Sequence, residues 1–130
     1  MERIQVGISG EQKTTVTVAQ TARHLGSGGI DVFATPAMIA MMEAAAVAAL
    51  DPLLDAGQAT VGTAIDVKHL AATPLGAEVR ARAEVIEVDR RRIMLKVQAW
   101  DEHELIGEGV HTRFVIDLDR FMQGVEVKRG

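Results

Sequence analysis

The sequence predicts an α+β fold in which one antiparallel sheet curls around one long apolar helix. Three observations carry this. The run Thr35–Leu50 consists almost entirely of Ala, Met and Leu, good helix formers, and is apolar on every side. Four strand-like segments follow it, joined by short turns, which makes sequential strands antiparallel neighbours. One more strand-like segment precedes it. With 130 residues, 48% of them apolar and 25% charged, residues 1–130 read as a single domain around one core.

Taken in order, residues 13–19 alternate as a strand does, Thr15 and Thr17 against Val16 and Val18. Residues 21–31 read as a loop containing Gly26-Ser27-Gly28-Gly29, a connector or partial lid. No Lys-Ser/Thr pair follows these glycines, so they are not a phosphate loop. Thr35 is expected to cap the central helix, with Pro36 in the first helical position and Asp51-Pro52 as the stop. The run is shorter than the about 20 residues of a membrane crossing, so the rest of the chain is expected to cover the helix on every face. Strands follow at 60–69, at Glu78–Asp89, at 93–101 and at 104–118. In the last of these, Gly107 and Gly109 mark a bulge or a close backbone approach. Residues 119–130 read as a polar tail in which Phe121 and Met122 pack back. One sheet around one helix is the arrangement called the hot-dog fold, and its open edges are usually closed by dimerisation.

Composition narrows function mainly by exclusion. The net charge of −4 gives no basic surface for nucleic acid or membranes. With no cysteine there is no disulfide, thiolate metal site or cysteine nucleophile, which fits a cytoplasmic protein. Residues 1–6 lack the basic-then-apolar pattern of a signal peptide.

Few residues carry chemistry. Glu43 is the one ionisable group in the apolar helix; facing a cleft, it would suit acid–base or nucleophilic work, and facing out it would only be solvated. His69 ends a long strand and can exchange a proton near neutrality. Thr35 is the hydroxyl at a helix start, where backbone N–H groups could hold an oxyanion. Arg90-Arg91-Arg92 could meet phosphates or be a solvated turn, and Arg113 could hold an anion or a structural ion pair. His24, His103 and His111 have no acidic residue at ligand spacing, so no metal site is expected.

Several stretches resemble the fluoroacetyl-CoA thioesterase family of hot-dog proteins. They are Thr21-Ala22-Arg23-His24-Leu25, Val32-Phe33-Ala34-Thr35, the Thr35/Glu43 spacing, Val61-Gly62-Thr63-Ala64-Ile65, Val67-Lys68-His69-Leu70-Ala71-Ala72-Thr73-Pro74 and Ile106-Gly107-Glu108-Gly109-Val110-His111. The resemblance spans most of the chain. It implies a catalytic set of Thr35, Glu43 and His69, with Gly62, Arg113 and Phe33 contacting substrate. It also implies acyl-CoA hydrolysis without metal or other cofactor, in a homodimer (or tetramer) with active sites at the subunit interface. The fluoroacetate-specific member has a longer lid with phenylalanines; here that segment is only Gly26-Ser27-Gly28-Gly29-Ile30-Asp31, so its fluoroacetyl preference does not carry over.

On one unbroken helix Thr35 and Glu43 would stand about 12 Å apart along the axis, too far for a direct hydrogen bond. Either the chain before about residue 37 folds back, or the two act from opposite subunits. Two other readings stand beside hydrolysis. An enoyl-CoA hydratase would carry Asp-x-Asn-x-x-His, whereas this chain has only Asp66-Val67-Lys68-His69. A non-catalytic acyl-CoA-binding module would bind without releasing CoA.

Overall fold

Five antiparallel strands form one curled sheet in the order β1-β3-β4-β5-β2, with a long helix against it. The computed structural model describes residues 2–130; Met1, the first residue of the stretch read for a targeting pattern, lies outside them. The elements are β1 (Ser9–Thr15), a one-turn α1 (Ala22–Leu25), α2 (Thr35–Leu50), β2 (Gln58–His69), β3 (Glu78–Asp89), β4 (Arg92–Trp100), β5 (Leu105–Asp117) and α3 (Leu118–Glu126).

Alternation along the sheet builds the core. Val79, Ala81, Ala83 and Val85 of β3, with Ile93, Leu95, Val97 and Ala99 of β4, are fully buried, as are Met38, Met42, Ala45, Ala46 and Leu50 of α2. Each larger apolar side chain so buried contributes roughly 1.5–3 kcal/mol. Gly107 belongs to this packing, because a β-carbon there would run into the Met38 thioether. One at Gly109 would run into the Asp66 and Val67 backbone. Both glycines therefore mark close approaches. A bulge also adjoins Gly107, where Ile106 is the extra residue opposite Ala99 and Trp100; further register shifts lie between Gly62 and Ala64 in β2 and between Val85 and Glu87 in β3.

Four expectations need correction. The first strand runs Ser9–Thr15 and not 13–19, because the Gln20 side chain takes the Thr17 N–H at 3.0 Å and starts a 3₁₀ turn. Within 21–31 the chain makes the helical turn α1, its His24 N–H donating to Thr21 Oγ1. The polar tail is mostly the helix α3, whose Leu118, Phe121, Met122 and Val125 share one side and stay 39–45% exposed. With its 3₁₀ extension, α2 spans 19 residues at a mean hydropathy of 1.4, long and apolar enough to cross a membrane. The sheet packed on it is what makes it a core helix.

Nor does one chain cover α2 on every face. Pro36, Ala40, Ala44 and Ala48 stay exposed, and Ile39, Glu43 and Val47 are half-buried beside them. The outer edge of β2, 12 residues long, pairs with no strand among the described residues.

Candidate active site

Thr35 is the first residue of α2; Ala34 occupies the cap position without a side-chain cap bond. The Thr35 hydroxyl is thus not the helix cap the sequence suggested. It shares a 2.7 Å hydrogen bond with Nδ1 of His69, the last residue of β2. β2 reaches α2 because Leu70 N–H, just beyond it, is held by Ile106 O at 2.7 Å, and Phe33 N–H by Thr73 O at 2.8 Å. The Phe33 ring, itself buried, stands edge-on to the imidazole at 6.5 Å.

The other ring nitrogen of His69, Nε2, is buried without a hydrogen-bond partner. Such a group costs about 1–3 kcal/mol when nothing meets it, and functional sites are among the places where it occurs. Burial lowers the His69 pKa from its ordinary 6.5, with the Ala71 backbone opposing, so the ring is neutral at pH 7. Beside it lies a cavity of about 360 Å³, lined mainly by small and apolar residues of 22–35 and 69–72. Ser27, Gly28 and Ile30 form one wall, in a loop tied down by Ser27 N–H to Ala22 O and by the Arg23–Asp31 ion pair at 2.9 Å. The glycine-rich segment is therefore a short partial lid.

A second cluster lies farther along the same helix. Glu43 Oε2 stands 3.5 Å from Arg113 Nη1, and the Arg113 side chain is only 6% exposed against 44% for Glu43. Arg113 donates through Nε to Thr60 Oγ1 at 2.9 Å and through Nη2 to Thr60 O at 3.0 Å. Burial lowers its pKa from the ordinary arginine value, with Glu43 and Asp51 opposing. Gly62 covers this cluster: a β-carbon there would lie 2.8 Å from Glu43 Oε2 and 3.2 Å from Arg113 Nη1.

The two clusters hold all six residues singled out in the sequence: Thr35, His69 and Phe33 in the first, Glu43, Gly62 and Arg113 in the second. They are not brought together within one chain. Because α2 is unbroken from Thr35 to Leu50, the fold-back alternative for Thr35 is excluded.

His111 entered the sequence reading only as a possible metal ligand and was set aside. It is buried beside Arg113, and its signal was its position two residues before Arg113, on the same strand face. Thr60, which holds that arginine, went unrecognised. Arg91 is engaged with Asp117, and Arg92 with Glu87 at 2.6 Å and Asp89, as structural ion pairs. His24 and His103 lie on the surface. Among the described residues no group of three His, Asp or Glu side chains could hold a metal ion.

Residues 16–119 match the family model described as fluoroacetyl-CoA-specific thioesterase. The chain belongs to this family. A fluoroacetyl-CoA thioesterase of Streptantibioticus cattleyicolor is 45% identical over 98 residues, covering 75% of this chain and 70% of that one. Among solved structures, a variant of the fluoroacetyl-CoA thioesterase in complex with acetyl-CoA is 38% identical with a TM-score of 0.91, covering 98% of this chain and 100% of that one. A Thermus thermophilus member of the thioesterase superfamily is 27% identical with a TM-score of 0.92, covering 99% and 96%. Membership of the thioesterase family and the hot-dog fold thus agree with the architecture built from the strands upward.

Proposed function

We propose that this chain hydrolyses small or medium acyl-CoA thioesters to the free acid and CoA, at sites assembled between two copies of the chain. The observation that carries the reading is the Thr35–His69 pair, whose unpartnered imidazole nitrogen borders a cavity lined by small apolar side chains. Family membership supplies the thioester chemistry. Either the Glu43 carboxylate attacks the carbonyl and expels the CoA thiolate, leaving an acyl-enzyme anhydride that water then hydrolyses to the free acid and the carboxylate, or Glu43 takes a proton from a water that attacks the carbonyl directly and expels the thiolate. His69, neutral at pH 7, relays a proton to the departing thiolate or from that water, and the Thr35 hydroxyl orients its ring. Arg113, held by Thr60, faces the negative charge that builds on oxygen.

A dimer resolves the separation of Thr35 from Glu43. Antiparallel pairing of two β2 edges about a two-fold axis at Asp66 brings His69 of one copy to the Gly62–Thr63 bulge of its partner. The extra residue of the bulge reverses the alternation, so His69 and Gly62 face the same side. Glu43 and Arg113 of the partner lie under that glycine. The short lid and the small lining residues Ala22, Ala34, Ala71 and Ala72 leave room for acyl groups larger than acetyl.

Thiol release from a panel of acyl-CoAs, acetyl to long-chain and aryl, tests the reading. Release by the native chain and its loss in His69→Ala are expected. Binding of acyl-CoA with no release across the panel would make the chain a binding module instead, and loss of crotonyl-CoA absorbance without thiol release would make it a hydratase.

A further inference from the structure

We infer that His111 is a positioning residue for hydrolysis: it accepts one N–H of Arg113 Nη1, and so fixes where the guanidinium charge stands beside the Glu43 carboxylate. The inference rests on the proposed thioesterase reading. Its ground is a pair of hydrogen bonds to the ring whose direction chemistry dictates. Nδ1 of His111 lies 2.8 Å from the Ala64 carbonyl oxygen, which can only accept, so Nδ1 carries the proton. Nε2 lies 3.1 Å from Arg113 Nη1, which can only donate, so Nε2 carries the lone pair. The ring is therefore neutral and fixed in the Nδ1–H tautomer. Burial and the neighbouring guanidinium both act in that direction, lowering its pKa from 6.5.

The Ala64 carbonyl belongs to the bulge that follows Gly62 in β2. His111 thereby ties the bulge to Arg113 and sets where the guanidinium sits. Nη1 is left 3.5 Å from Glu43 Oε2, an ion pair with no hydrogen bond between the two groups. A bidentate arginine–carboxylate pair would be the stronger contact in isolation. Here Thr60 holds Nε and one N–H of Nη2, and His111 holds one N–H of Nη1, so the guanidinium is anchored at a distance from Glu43 set by those three bonds. Glu43 feels the positive charge and keeps its oxygens unoccupied.

Two substitutions separate the two bonds of the ring. His111→Asn keeps a donor near the Nδ1 position but offers nothing to Arg113, whereas His111→Gln carries a carbonyl oxygen out to the region of Nε2. With thiol release as the assay, His111→Asn should lose about tenfold in kcat, the scale of one hydrogen bond to a charged group. Its KM should stay within about twofold, since the same contact is absent from binding. His111→Gln should recover most of kcat. The Nδ1–H tautomer at His111, read from ¹⁵N chemical shifts in the native protein, is the expectation independent of activity.

Native kcat in His111→Asn, equal loss in the folded Asn and Gln variants, or an Nε2–H tautomer would each overturn the role. Thiol release by the native chain keeps these failures distinct from failure of the thioesterase reading, which would show first as an inactive native protein.

Discussion

Dividing the catalytic set between two defective subunits measures whether the site is shared. Thr35 and Glu43 lie eight residues apart on an unbroken helix, about 12 Å along its axis at 1.5 Å per residue. A hydrogen bond spans about 3 Å. Within one chain, moreover, the Thr35 hydroxyl is engaged with His69 and the Glu43 carboxylate stands by Arg113. Thr35→Ala and Glu43→Ala both suit α2, since alanine is the best helix former and neither side chain caps the helix. Each homodimer should fold and release almost no thiol. The heterodimer, purified through two different tags, carries one site lacking both residues and one site lacking neither. Its turnover per dimer should be about half the native value, as two equivalent sites require. A heterodimer as inactive as the homodimers would refute the shared site and place Thr35 and Glu43 of the same chain on one substrate.

Gly62→Ala should separate folding from catalysis. The added β-carbon meets the mobile end of Glu43 at 2.8 Å, and His111 Cε1 at 3.1 Å, so the carboxylate yields while the sheet holds. Turnover should fall by about 10²-fold, the cost of a displacement near 1 Å in a catalytic group, with a melting temperature close to native; native turnover would remove Gly62 from the site. Acidification should act on stability through His69 and His111, whose pKa values burial holds below 6.5. Below pH 6.5 the unfolded chain binds protons that the folded one refuses, so their contribution is complete above that pH and is lost as pH falls beneath it. Melting temperature should decline from pH 7.5 to 5.5, and His69→Ala should flatten part of the slope; an unchanged slope in that variant would deny the buried ring its role.

A run of good helix formers between clear start and stop signals made the central helix legible, and alternation made the last four strands so, because it records which side meets the core. Glu78–Asp89 was placed to the residue. What escaped depended on single side-chain contacts. Gln20 ends the first strand early. In α3 the helical spacing of Leu118, Phe121, Met122 and Val125 was present among many polar residues, and the composition outweighed it. At the site, residue types and their spacing singled out Thr35, Glu43 and His69 through the family they resemble, and the structure sets Thr35 against His69 and Glu43 against Arg113. The assignment of Thr35 as a cap failed because cap and first helical position differ by one residue, and only β2 supplies the competing partner, His69. His111 was passed over for want of an acidic neighbour in sequence; its partners are Ala64 and Arg113, one of them 47 residues away.

The proposed second copy would account together for the open edge of β2, the bulge after Gly62 and the split between the two clusters, and it would do so in one register. Pairing about Asp66 makes that residue its own partner across the axis. Directly opposed residues in an antiparallel pair have their Cα atoms about 4.5–5.5 Å apart, within the range a disulfide spans. The native chain has no cysteine, so Asp66→Cys introduces the one thiol, at an exposed position that neither cluster uses. Mild oxidation should convert it to a covalent dimer on a non-reducing gel with thiol release retained. In Lys68→Cys the two thiols lie four positions out of register, about 13 Å along the strand, and should stay monomeric on the same gel. Cross-linking of Lys68→Cys in place of Asp66→Cys would shift the axis by two residues, set His69 opposite Val67 and away from the bulge, and separate it from the Glu43 that the proposed shared site needs.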